Sequence, residues 1–268
     1  MTTQTPALTS LSPHDTGDKR PQRSLVLLPA MLCDEELYRP QIEGLRDLVE
    51  PITLTVAEPS MAEAANAVLR QAPLRFLLAG TSYGGSLALE VIARAPSRVL
   101  GLWLMGCSPG PHRDPDAARL RNDRVQRGEF DAVVEDLAAT IAHEGGPHAV
   151  DAASSFRRMA GRAGSAVFLQ QNTSLLGRPD RRADLARITC PALVVWGRED
   201  RFASVEHGRE IAARIPGARL VILEGCGHLP TLERPDATVA LVREWLGRLG
   251  GAESDASRSW LVFDAATS

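Results

Sequence analysis

The sequence predicts an α/β protein with a mostly parallel central sheet flanked by helices. Two patterns support this prediction: short, nearly continuous apolar runs recur along the chain, and amphipathic helical patterns lie between them. Runs that are apolar at successive positions fit strands buried on both faces, and their alternation with helices is typical of parallel sheets. The chain has 268 residues, 44% of them hydrophobic, enough for one substantial core.

Six apolar runs are the predicted strands. They cover residues 24–28, 52–56, 74–79, 99–105, 192–196 and 220–223. Two helical patterns are especially clear, one over residues 86–95 that stops before Pro96 and one over residues 235–249 that starts at Pro235. Proline fits both places, because it ends a helix when it follows one and is tolerated in the first turn.

Between the fourth and fifth runs the pattern becomes charged, Ala-rich and helical without a clear strand. We expect a helical insertion, or lid, over residues 112–182, between the two parts of a core formed by residues 23–111 and 183–249. Basic and acidic residues nearly balance in the insertion, which favours a solvated helical surface over an electropositive substrate funnel.

The two ends of the chain differ from this pattern. Residues 1–22 are polar and rich in Thr, Ser, Pro and Asp, which predicts a disordered N-terminal tail. Residues 250–268 are predicted to form a flexible C-terminal tail. The apolar stretch Trp260–Phe263 leaves an alternative open, namely that it docks on this protein or on a neighbour.

Composition narrows the function classes. The formal net charge of −3, with 24% charged residues, is unlike the polybasic or polyacidic character of nucleic-acid and membrane-surface binders. The polar start of the chain does not resemble a secretory signal, and no apolar stretch reaches the length of a membrane span. We therefore expect a cytoplasmic protein with a small-molecule partner, without a nucleic-acid or membrane partner. A homo-oligomer stays open.

The cysteines give no sign of a metal or a disulfide scaffold. Cys33, Cys107, Cys190 and Cys226 lie far apart, without a C-x-x-C pair. That spacing fits buried or partly buried free thiols better than a zinc site or a disulfide framework. We expect no metal and no cofactor.

The most informative segment is a G-x-S-x-G motif, Gly80-Thr-Ser82-Tyr-Gly84, which directly follows one predicted strand and directly precedes a predicted helix. In that setting a sharp turn holds the serine in a strained conformation with its hydroxyl above the sheet, and the glycines allow strand and helix to approach closely. The motif makes Ser82 the candidate nucleophile.

A serine hydroxyl needs a base, normally an imidazole held by a carboxylate. Asp200 and His228 each follow a predicted strand, where sites in open α/β sheets form. Glu199 and Asp114 remain alternatives for the acid. Among the other histidines, assigned to the surface, His112 and His143 could line the pocket from the lid; the rest are His14, His148 and His207.

These residues resemble the α/β-hydrolase superfamily, in particular its small, cofactor-free serine esterases, lactonases and carbon–carbon hydrolases. The resemblance covers residues 23–249 and rests on the segments 80–85, 190–200, 215–228 and 232–235. It implies a nucleophile at Ser82, a general base and acid at His228, and an orienting carboxylate at Asp200.

The resemblance also implies an oxyanion hole made of two backbone N–H groups. Tyr83, directly after the nucleophile, supplies one, and Met31 aligns with the other donor, with Leu32 as its alternative. The usual His-Gly before that donor is replaced by Pro29-Ala30. Met31, Leu32 and Tyr83 are the expected substrate contacts.

A second departure concerns one wall of the pocket. Relatives carry a glycine-rich loop after the second strand, whereas residues 57–60 here lead almost at once into a helix. We expect a more open site on that side, with the lid, Met31 and Tyr83 making most substrate contacts.

The predicted function is hydrolysis of a small ester, thioester or lactone through an acyl-enzyme. Ser82 excludes relatives that need aspartate as the nucleophile, such as haloalkane dehalogenases and epoxide hydrolases. Acyl transfer to another acceptor and cofactor-free perhydrolysis use the same triad and stay open. A ligand-binding receptor on the same fold is the alternative from another class.

Overall fold

A seven-stranded parallel sheet runs through the computed structural model, which describes residues 23–251 and 263–265, with strand order β2-β1-β3-β4-β5-β6-β7. The strands are β1 Arg23–Leu28, β2 Val49–Thr53, β3 Phe76–Thr81, β4 Val99–Met105, β5 Ala192–Gly197, β6 Arg219–Leu223 and β7 Phe263–Ala265. The α-helices are α1 Arg39–Leu45, α2 Met61–Gln71, α3 Tyr83–Arg94, α4 Pro115–Gln126, α5 Phe130–Ile141, α6 Ala149–Leu176, α7 Val205–Arg214, α8 Pro230–Glu233 and α9 Pro235–Gly251. Short 3-10 turns cover Glu35–Tyr38, Pro96–Arg98 and Leu185–Arg187.

The sheet separates two apolar clusters, and alternate residues of the central strands enter one or the other. On β1, Leu25 and Leu27 join the cluster that includes α9 and the inner side of α5, whereas Val26 and Leu28 join the cluster beneath α2 and α3. This alternation is the side-chain period of a strand buried on both faces. The fold class predicted from the apolar runs is confirmed.

The second strand lies earlier than predicted. The apolar run at 52–56 predicts the strand there, but β2 covers Val49–Thr53. β2 lies at an edge of the described sheet and pairs with β1 in register with Pro51 opposite Leu25. An edge strand tolerates a proline because it is hydrogen-bonded to a neighbour on one side only, so that a missing N–H can face solvent. Polar and proline residues at this edge therefore weakened the apolar signal that marks the other strands.

Helices α4, α5 and α6, together called the insertion, lie between β4 and β5. Helix α6 spans 28 residues and is kinked at Gly164, whose φ of 78° and ψ of 173° are not helical. The first part of α6 is tied to the core by Arg162, which donates to Asp34 at 2.8 Å and to Glu36 at 2.7 Å. That the insertion acts as a lid remains a prediction.

The predicted tails lie largely outside the described residues, which leave out 1–22, 252–262 and 266–268. Within the described part, β7 pairs in parallel with β6 in register Val221 to Phe263. The end of the apolar stretch at 260–263 thus adjoins the sheet of its own chain. No helix of the described residues is long and apolar enough to cross a bilayer.

The four cysteines are free thiols, three of them buried and Cys190 half-buried. Burial raises the pKa of Cys107 to about 12 and that of Cys190 to about 11. These thiols are therefore protonated near neutral pH, which makes them poor nucleophiles.

Candidate active site

Ser82 occupies a strained turn between β3 and α3. Its φ of 56° and ψ of −113° lie in a backbone region that residues other than glycine rarely adopt. The neighbouring glycines are required by packing, because a Cβ at Gly84 would stand 2.0 Å from the Leu28 carbonyl oxygen and one at Gly80 would stand 2.3 Å from the Gly84 oxygen. This geometry is the strained strand-to-helix turn that the G-x-S-x-G motif predicts.

Asp200 and His228 meet beyond the ends of β5 and β6. His228 Nδ1 lies 2.8 Å from Asp200 Oδ2 and 2.9 Å from Oδ1. Asp200 Oδ1 also accepts the backbone N–H groups of Phe202 and Ala203 at 2.8 and 2.9 Å. Because a carboxylate oxygen accepts, the hydrogen bond between the two side chains places the imidazole proton on Nδ1. Nε2 of His228 is left as the free acceptor of the ring.

The two alternative acids have other partners. Glu199 Oε2 accepts the Cys226 N–H at 2.9 Å, so this carboxylate holds the loop that carries the histidine. Asp114 caps α4 by accepting the Ala117 N–H at 2.9 Å. Neither carboxylate has a hydrogen bond to His228 among the described residues, and the geometry therefore favours Asp200 over both.

Glu233 is a positioning residue that the sequence interpretation missed. This fully buried carboxylate accepts the N–H groups of Gly227 at 2.7 Å, Leu229 at 2.9 Å and His143 at 2.8 Å. It holds the residues on both sides of His228 and joins them to the end of α5. The sequence had marked the segment 232–235 only as part of the family resemblance, because no local pattern indicates which backbone groups a buried carboxylate will bind.

Two of the candidate oxyanion donors lie near Ser82, and the N–H of the third is engaged elsewhere. Tyr83 begins α3, and Met31 lines the same cavities as Ser82. The Leu32 N–H donates to Gln171 Oε1 at 2.9 Å, so it is engaged elsewhere. Burial raises the pKa of the Tyr83 phenol to about 12, which keeps it neutral. Met31 and Tyr83 remain as the two candidate donors.

Gln171 links two segments next to the wall that the sequence interpretation expects to be open. Its side chain is 2% exposed, and besides accepting from Leu32 it donates from Nε2 to the Val56 carbonyl oxygen at 2.9 Å. One amide from α6 therefore joins the loop after β1 to the chain after β2. A more open site on this side stays a prediction. The contact itself is not indicated by any local pattern, because Gln171 and Val56 lie 115 positions apart in sequence.

Two cavities meet at Ser82 and His228. The smaller, of about 40 Å³, has apolar walls that include Met31, Leu137 and Phe156. The larger, of about 130 Å³, is lined by residues of mixed character that include His112, Arg121 and Arg178. Two arginines of the expected lid region, Arg121 on α4 and Arg178 after α6, therefore line this cavity. His112, one of the two lid histidines considered, does line a cavity.

The comparisons with known proteins agree with this architecture. A model of the alpha/beta hydrolase family matches residues 26–241. A pimeloyl-[acyl-carrier protein] methyl ester esterase of Aromatoleum aromaticum is 28% identical over 69% of this chain and 80% of its own. The esterase of that name in Chromobacterium violaceum is 32% identical over 65% of this chain and 71% of its own. The enol-lactonase of Burkholderia xenovorans LB400 aligns with a TM-score of 0.76 at 20% identity, covering 86% of this chain and 94% of that chain.

The parallel sheet with a serine in a strained turn defines an α/β hydrolase, and the chain belongs to the alpha/beta hydrolase family. Within that family it is an enzyme of the carboxylic ester hydrolase type. The resemblance stated from the sequence motifs is thereby confirmed.

Proposed function

We propose that this enzyme is a serine hydrolase that cleaves a small carboxylic ester through an acyl-enzyme. The observation that carries the proposal is the 2.8 Å hydrogen bond between buried His228 and Asp200, on the same cavities as the strained Ser82. A carboxylate-held imidazole beside a serine hydroxyl that lines a cavity is the arrangement that activates serine as a nucleophile.

In the first half of the reaction, Ser82 Oγ attacks the ester carbonyl carbon and His228 Nε2 takes the hydroxyl proton. The carbonyl oxygen becomes an oxyanion, which the Met31 and Tyr83 N–H groups stabilise. When the tetrahedral intermediate collapses, the bond to the alcohol oxygen breaks and His228 returns the proton to that oxygen. The alcohol leaves, and the acyl group stays on Ser82 as an ester.

In the second half, a water molecule gives a proton to His228 Nε2 and attacks the acyl carbon. Collapse of the second intermediate breaks the bond to Ser82 Oγ, which recovers its proton from His228. The products are one carboxylic acid and one alcohol, and no cofactor or metal takes part. Asp200 stabilises the imidazolium that forms in both halves without itself being protonated.

The unequal cavities favour an ester with one small and one larger arm. A cavity of about 150 Å³ holds a benzene ring, so the cavity of about 40 Å³ suits a group the size of methyl or ethyl. The relatives from Aromatoleum aromaticum and Chromobacterium violaceum are named as methyl ester esterases. We therefore assign the alcohol part to the small cavity and the acyl part to the larger one, as a methyl ester of a longer acid.

Labelling with a fluorophosphonate tests the nucleophile directly. We expect one stoichiometric adduct, mapped by peptide mass spectrometry to Ser82, and none in the folded Ser82→Ala variant. Methyl esters of increasing acyl length then measure turnover. A folded protein that hydrolyses no ester and is labelled elsewhere would refute the proposal. Ligand binding without turnover would favour the receptor alternative, and product formation that needs an added alcohol or peroxide would favour acyl transfer or perhydrolysis.

A further inference from the structure

We infer that the larger cavity binds a substrate whose acyl arm ends in a carboxylate, so that the substrate is a half-ester of a dicarboxylic acid. This inference rests on the proposed function and names the substrate class of the same site. The structural basis is a group of polar side chains, Arg178, Arg121, His112 and Ser86, which line the cavity of about 130 Å³ together with Ser82.

Arg178 supplies a half-buried positive charge without an acidic partner among the described residues. Its Nε donates to the Gly110 carbonyl oxygen at 2.8 Å and its Nη2 to that of Pro111 at 3.1 Å. No carboxylate lies within ion-pair distance of it among the described residues, and Nη1 is not used in either hydrogen bond. Burial lowers the pKa of this guanidinium. A guanidinium stays charged even so, and a buried charge without a counter-ion is costly.

Arg121 extends the same positive region, and His112 adds a hydrogen-bond donor beside it. Arg121, on α4, makes no hydrogen bond or ion pair with another described residue and faces the cavity that Arg178 lines. Burial, followed by the charges of Arg178 and Arg121, lowers the pKa of His112, while Asp114 acts against them. His112 Nδ1 accepts the Asp114 N–H at 3.2 Å, so the neutral ring carries its proton on Nε2. That N–H is a further donor for an anion.

Ser86 adds a hydroxyl that has no partner. Its side chain lines the cavity, is 7% exposed, and its Oγ has no hydrogen-bond partner among the described residues. Native structures pair almost all buried polar groups. A ligand oxygen in the cavity would satisfy both this hydroxyl and the guanidinium.

The remaining lining offers no competing negative charge. None of the described residues that line the larger cavity is an aspartate or glutamate, and the smaller cavity beside Ser82 is apolar. An ester with methyl in the small cavity and a neutral chain in the large one would leave Arg178 and Ser86 unsatisfied. A terminal carboxylate would bind them, and it would distinguish a half-ester from a simple fatty ester.

Paired substrates test this inference with an internal control. Each pair consists of the monomethyl ester of a dicarboxylic acid and the methyl ester of the monocarboxylic acid of equal chain length. The readout is the ratio of kcat/KM for the anionic over the neutral ester, because partial loss of folded enzyme lowers both values equally. We expect a ratio above one in the wild type, with a maximum at one chain length.

Three variants locate the effect. Arg178→Met should lower the ratio about 10- to 100-fold, the range for losing a hydrogen bond to a charged group. Arg121→Met should lower it to a smaller degree. Arg119→Met is the matched control, since Arg119 also lies on α4 but is 63% exposed and pairs with Asp116 at 2.7 Å. It should leave the ratio unchanged.

A binding measurement separates this inference from the proposed function. Calorimetry on the Ser82→Ala protein compares the half-ester with its neutral partner, with and without Arg178→Met. Preference for the half-ester that is lost with Arg178→Met supports the inference, even if the wild type hydrolyses neither ester and the proposed function fails. Equal binding of both esters, or a preference that Arg178→Met leaves intact, would overturn it.

Discussion

Replacing Gln171 by leucine tests whether the loop after β1 that carries Met31, the candidate oxyanion loop, depends on the insertion. The variant keeps a side chain of similar size but removes the amide that accepts from Leu32 and donates to Val56, both at 2.9 Å. Gln171 is buried, so water does not readily replace the lost contacts. Two backbone groups would lose these hydrogen bonds: the Leu32 N–H, in the loop that carries Met31, and the Val56 carbonyl oxygen, after β2.

The expected magnitude follows from those two groups. An unsatisfied buried polar group costs about 1–3 kcal/mol, and the apolar leucine offsets part of it, so we expect a loss of about 2–4 kcal/mol. In a protein of this size that lowers Tm by about 5–15 °C. Because losing one oxyanion donor costs about 10²–10³ in kcat, a displaced Met31 N–H should lower kcat at least about tenfold.

Both quantities are measured at a temperature where the variant is folded, with Tm from calorimetry and kcat from methyl ester hydrolysis. Arg98→Met is the control, since Arg98 bridges four carbonyl oxygens, of Leu69, Ala72, Pro73 and Leu74, at the opposite end of β3. It should lower Tm without lowering kcat. If Gln171→Leu lowers Tm and leaves kcat unchanged, Gln171 is merely structural and the reasoning is refuted.

Three further predictions follow from the site and its surroundings. Asp200→Asn should lower kcat about 10³- to 10⁴-fold by favouring the wrong imidazole tautomer. Glu199→Gln should lower kcat far less. Equal effects of the two variants in steady-state kinetics would contradict the assignment of Asp200 as the acid. Gly84→Ala should yield misfolded or inactive protein. Gly161→Ala is the control, since nothing lies within 4 Å of the added Cβ, and it should keep solubility and activity. Two equally active proteins would disprove the close approach of α3 to β1 at Gly84. Burial would raise the pKa of Glu36, but hydrogen bonds from arginines outweigh burial and lower that pKa from 4.5. The contribution of Glu36 to stability is therefore present above pH 4.5 and is lost as the pH falls through the lowered pKa of the folded state. Hydrogen exchange in α6 should rise over that pH range in the wild type and not in Glu36→Gln.

The sheet and the triad candidates were predictable because their signals are local. Continuous apolar runs mark buried strands, and the G-x-S-x-G motif places Ser82 between a strand and a helix. Asp200 and His228 follow strands whose carboxyl ends share one edge of the sheet. The structure brings these two side chains within hydrogen-bond distance.

The parts that were missed depend on contacts between distant residues. Gln171 reaches a loop 139 positions away, and Glu233 joins two loops by accepting three N–H groups. Nothing in the local pattern of a helix distinguishes a glutamine that faces a loop from one that faces water. Arg178 and Arg121 were hidden for a related reason, because a nearly balanced charge count does not tell which charges face inward.

The kink at Gly164 separates α6 into two parts that make different contacts. The part before the kink holds the helix to the core through Arg158 and Arg162, whereas the part after it carries Gln171 against the oxyanion loop. Mutagenesis libraries aimed at new substrates can therefore diversify the cavity-facing positions after Gly164 while keeping both Gln171 and the anchoring arginines. A chimera that exchanged the whole helix would change attachment and catalysis at once.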